Sequence, residues 1–192
     1  MVWENSDIIN AITTLLLLIA VGVSLFIGLR SISQTRNIHS KELKTRLLGV
    51  ITDWVSEIEA TSLNTSIPSG SDRQAIRTAE INILREYGIP YARKEHIRAV
   101  ASFNKILQDD INELILNLGL YMCLKAMSLQ VDGKEAFPSG RIRSIVDKLE
   151  EKISEGKANV NDLRDEYAVL VTNSANKVFI KVAELTTELL KS

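Results

Sequence analysis

Between Asp7 and Arg30 the chain carries no charged residue. As a helix rising about 1.5 Å per residue, those 22 positions span roughly 33 Å, slightly more than the hydrocarbon core of a bilayer. Fourteen of them are Leu, Ile, Val or Phe. Each favours insertion by about 0.3–0.6 kcal/mol at depth, which outweighs Asn10 and also Thr13, Thr14 and Ser24, whose hydroxyls can bond within a helix. A cleavable signal opens on basic residues and has a shorter apolar run, whereas Glu4 and Asp7 lead here. The expectation is a permanent transmembrane helix over residues 8–29, with Trp3 suited to the interface beside it.

The flanks set the expected orientation, because Lys and Arg close to a membrane segment stay on the cytoplasmic side. Only acids precede the segment, while Arg30, Arg36, Lys41, Lys44 and Arg46 follow it against the single acid Glu42. Residues 1–7 are therefore expected to be a short non-cytoplasmic end, 30–40 a basic polar neck, and 41–192 a cytoplasmic domain. Near an anionic leaflet each basic residue gains about 1 kcal/mol, so the neck is also a candidate contact for anionic lipid. Within the segment, Ala20, Ser24 and Gly28 recur every four residues, a small-residue stripe on which a second helix could pair closely. The sequon at Asn64 would matter only on the opposite face of the membrane; otherwise it is a polar turn.

Few prolines, few aromatics and an abundance of Leu, Ile, Glu, Lys and Arg predict an all-α chain. Leu43, Leu47, Val50, Ile51, Trp54, Val55 and Ile58 fall at helical spacing, with Trp54 read as core. Pro68, Gly70 and serines mark a reversal over residues 61–72. A capping box of Ser71 and Gln74 opens the next helix, which carries Ile76, Ala79, Ile83, Leu84 and Tyr87, and Gly88 and Pro90 are expected to stop it. A long element follows from Pro90 toward Gln130, its stripe including Ile97, Leu107, Ile111, Leu114 and Leu118, with a bend expected near Asp109 or Gly119. Its uncharged stretch 114–124 is too short to cross a bilayer and should be the most buried part of the domain. After a polar turn over 131–140, Ile142, Ile145, Val146, Leu149 and Ile153 form another stripe ended by Gly156. A last helix capped by Asn161 carries Leu163, Tyr167, Val171, Ala175, Val178, Val182, Leu185 and Leu189. One-sided stripes on four or five helices imply an antiparallel bundle after the transmembrane helix, because each stripe must be buried against another.

Chemistry is sparse. The net charge of -1, from 23 basic and 24 acidic residues, argues against a general nucleic-acid binder. One cysteine, Cys123, and two distant histidines, His39 and His96, give no zinc spacing. No Glu stands three residues before either histidine, as a di-iron bundle requires. No cofactor or metal is expected, and Cys123 reads as a core residue. These features lead to a membrane-anchored binding, scaffolding or accessory module that presents its bundle to a protein partner or a second copy. The alternative is a small tethered enzyme or nucleic-acid effector using His96 with Arg93, Lys94 and Arg98.

Overall fold

The computed structural model describes residues 5–63, 72–130 and 140–191; of residues 5–20, 62, 63, 140 and 141 it describes the backbone alone. Within these bounds the chain is all-α, with six helices: α1 (Asn5–Leu63), α2 (Arg73–Ala92), α3 (Lys94–Ala101), α4 (Lys105–Ser128), α5 (Gly140–Ser154) and α6 (Val160–Lys191). It divides into two units, residues 1–44 and 45–192. Of the reversal expected over 61–72, residues 61–63 still belong to α1 and Asp72 caps α2; residues 64–71 with the sequon, Trp3 and most of the turn before α5 lie outside the described residues.

Among the described residues of the first unit the element is α1, and residues 30–40, expected as a polar neck, are helical throughout. In the second, α4 is central. Its Leu107, Ile111, Leu114, Leu118 and Met122 are fully buried, and of residues 114–124 only Leu116 and Tyr121 retain partial exposure. Residue pairs fix the directions of its neighbours. Glu113 meets Lys177, and Asn117 donates a 2.8 Å hydrogen bond to Ser174, so α6 runs antiparallel to α4. Arg77 donates to the Leu129 carbonyl, Lys125 pairs with Glu80, and Tyr121 meets Tyr87, so α2 is antiparallel to α4 as well. The close approach of α5 needs Gly119: a Cβ there would lie 2.5 Å from Ile142 Cδ1 and 3.0 Å from the Tyr91 hydroxyl.

Several boundaries fall elsewhere than the sequence suggests. The N-cap of α2 is Asp72, not Ser71; its carboxylate accepts from the Gln74 and Ala75 amides. The helix then runs through Gly88 and Pro90 to Ala92. Proline removes one ladder donor but leaves its own carbonyl. That carbonyl accepts the indole N–H of fully buried Trp54 at 2.8 Å, which ties the proline turn to α1. The long element is broken at residues 102–104 rather than bent at Asp109 or Gly119, because the Asn104 side chain accepts from Leu107 N at 3.0 Å and starts α4 afresh. In α6 the capping side chain is Asn159, which accepts from Asn161 N, so Asn161 already lies inside the helix. Along α1, Leu43 is 58% exposed, and Leu48 takes the core position that spacing had given to Val50. As expected, α5 ends just before Gly156, which has φ +69°.

Candidate functional site

Three places gather chemically interesting side chains. The first is the apolar part of α1. Every described side chain from Val21 to Ser40 is exposed, with Leu25 at 62%, Phe26 at 65% and Leu29 at 68%. Apolar groups therefore point outward around most of the helix, and nothing lies within 4 Å of a Cβ built at Gly22 or Gly28. Ser24 is exposed too, whereas the side chain of Ala20, like all of residues 8–20, falls outside the described ones. Among the described residues no helix is long and apolar enough to cross a membrane, so the transmembrane helix expected over 8–29 has no support from them.

The basic residues after this stretch all lie on α1. Lys41 and Lys44 follow Arg30 by close to three and four helical turns and share its face, while Arg36 lies off it. Arg46 belongs to the second unit. His39 Nδ1 is 4.0 Å from Glu42, both largely exposed, so this pair contributes little.

The second place is the cluster at the start of α3, which the structure disperses. Arg93 caps α2 and pairs with Glu57. Lys94 stacks on Tyr91, with Nζ 4.5 Å from the ring centroid, and Arg98 bonds Asn112 at 2.8 Å and Glu95 at 2.6 Å. His96 is exposed. Only Lys94 and Arg98, one turn apart, reach a common cavity of about 550 Å³, which they share with the acids Asp109 and Glu113. The four residues thus do not converge on one reacting point. Among the described residues no group of His, Cys, Asp and Glu is placed to hold a metal ion. Cys123 is buried in α4, and loss of hydration pushes its thiol up to about 11.

The third place was not anticipated. A cavity of about 280 Å³ opens where α1, α2, α4 and α6 converge in the second unit. Its apolar wall comes from Ile58, Ile83, Val171 and Ala175, and its aromatic wall from Tyr87 and Tyr121, whose rings meet edge to face at 5.4 Å. Charges ring the rest. Lys125, with its side chain 9% exposed, lies 3.6 Å from the Glu80 carboxylate, and Arg164 bonds Asp165 and Asn161. At 3.6 Å the Lys125 and Glu80 groups attract without a hydrogen bond. Neither has another partner among the described residues, and the Tyr121 hydroxyl makes no hydrogen bond to them either. Burial raises the Tyr121 pKa; Arg164 opposes that shift, while Asp165 and Glu80 add to it. A visible signal existed: Lys125 interrupts the apolar run 114–126, and a charge at a core position needs a partner or a purpose.

No protein-family model matches the chain, and comparison with curated proteins and with solved structures gives no match.

Proposed function

We propose that the chain is a single-pass membrane-anchored helical protein. Residues 8–29 form the transmembrane helix, and the bundle serves as a binding, scaffolding or accessory module at the cytoplasmic face. The observation that carries this reading is the outward display of Val21, Val23, Leu25, Phe26, Ile27 and Leu29 around most of the circumference of α1, with the small residues Ser24 and Gly28 on the remaining face. A helix that is apolar over most of its surface is unfavourable in water and suits an apolar surround. The uncharged sequence before Val21 extends the same character to the length of one crossing. Arg30, Lys41 and Lys44, on one face past its end, supply the cytoplasmic bias and a contact for anionic headgroups. Within the bundle, pairs such as Glu57–Arg93 and Glu113–Lys177 join helix to helix, which suits a domain that presents a surface to a protein partner or a second copy.

The test is protease protection in sealed membranes of known orientation, with a tag at each end. The carboxyl-terminal tag should be cut only when the cytoplasmic face is exposed. Extraction of the chain by alkaline carbonate would overturn anchoring, and cutting from the other face would overturn the orientation. As a control within the segment, Phe26→Arg should weaken insertion by about 2.5–3.5 kcal/mol and shift the chain toward the extractable fraction.

A further inference from the structure

The cavity between α1, α2, α4 and α6 carries features that anchoring does not use. Lys125 is nine-tenths buried, yet its ammonium group donates no hydrogen bond to another described residue. Glu80 stands beside it, one-fifth exposed, with its acceptors equally unspent, and the Tyr121 hydroxyl on the same face of α4 is a further unused donor. The polar atoms of these groups open onto the cavity rather than being sealed in, so their hydrogen bonds are completed by whatever enters it, water or a solute. What enters must satisfy a cation and an anion side by side. A simple anion would meet Glu59, Glu80 and Asp165 around the cavity, and a simple cation would meet Lys125 and Arg164. A molecule with its own positive and negative groups on neighbouring atoms meets both with the correct sign. The apolar wall adds a second requirement, an uncharged body resting on Ile83 and Val171 beside the two tyrosine rings. The volume, about 280 Å³, falls just below the range for drug-sized ligands, about 300–1,000 Å³, and so limits the occupant to a smaller molecule.

We propose that this cavity binds a free α-amino acid with an aliphatic or aromatic side chain. Lys125 and Tyr121 take its carboxylate, Glu80 takes its ammonium, and the apolar wall receives its side chain. The site is independent of the anchoring argument: it lies wholly within residues 45–192 and needs no membrane.

Calorimetric titration of the full chain in detergent tests it, with L-leucine and L-phenylalanine as probes. Phenethylamine, 3-phenylpropionate and L-phenylalaninamide serve as comparisons; the first two lack one charge each, and the third imitates the amino end of a peptide. Saturable one-to-one binding of an amino acid is expected. Each comparison compound should bind at least about tenfold more weakly, because a charge-assisted hydrogen bond is lost. Tyr121→Phe removes a hydroxyl that the fold does not use, so it should leave the unfolding midpoint unchanged while weakening binding several-fold. Lys125→Gln should weaken it further. The proposal fails if neither amino acid gives a saturable signal, which would leave the cavity to water. It fails equally if 3-phenylpropionate or the amide binds as well as the amino acid, or if Tyr121→Phe leaves affinity unchanged.

Discussion

Asn117 and Ser174 show how much a single buried polar contact decides. Both are nearly inaccessible, and the Asn117 amide donates to the Ser174 hydroxyl at 2.8 Å across the α4–α6 interface. An axial slide of one helix past the other would bury both groups unpaired, so the bond fixes register as well as adding attraction. Asn117→Ala should destabilise the bundle by about 1–3 kcal/mol, whereas Asn117→Ala combined with Ser174→Ala should cost less than the sum of the two single changes. Urea unfolding midpoints of the four chains check this, and strict additivity would show that the two side chains act separately. At this scale the sequence was partly readable. Burial of Trp54 followed from spacing, but its hydrogen bond to the Pro90 carbonyl did not, since 36 positions separate them. Lys125 was visible as a charge within an apolar run, yet only the folded chain supplies Glu80 as its neighbour.

Elements were more legible than their ends. Apolar spacing located the helices of the bundle because an amphipathic stripe is set by the 3.6-residue period and needs no knowledge of the partner. Caps were misplaced because several side chains within two or three residues could fill each role: Ser71 or Asp72, Asn159 or Asn161. Which one does so depends on where the entering chain comes from. Pro90 was read as a stop because an isolated helix loses about 3 kcal/mol to an internal proline. Here the surrounding helix is held by Tyr87 and Tyr91 in the core and by Trp54 on the proline carbonyl, so packing overrides propensity. The actual break, at Asn104, rests on one side-chain acceptor. Asn104→Ala should cost about 0.5–2 kcal/mol, and Asn104→Asp should keep most of that stability. Thermal unfolding of the two variants separates capping from a merely packed position, which Asp would disturb as much as Ala.

For the whole molecule, the all-α class and a helical bundle were foreseeable, since every stripe had to find another, but which helices flank α4 was not. Nor was the cavity, because four helices contribute to it and no local pattern reports their convergence. A consequence for the entire bundle concerns alkaline solution. Burial raises the Cys123 thiol from 9.0 to about 11, so the unfolded chain loses its proton first. The stabilisation is complete below pH 9 and disappears as the pH rises toward 11; Tyr121 and Tyr167, also raised by burial, act in the same direction above pH 10. At 1.36 kcal/mol per unit, the thiol alone accounts for an upper limit on the order of 2–3 kcal/mol. Unfolding midpoints measured from pH 7.5 to 10.5 should therefore fall, and fall less steeply in Cys123→Ala. The same burial makes this lone cysteine a natural clock for breathing of the bundle: an alkylating reagent reaches it only in molecules that have momentarily opened around α4. The ratio of its labelling rate in the native chain to that in the unfolded chain then gives the opening equilibrium directly, without any added probe.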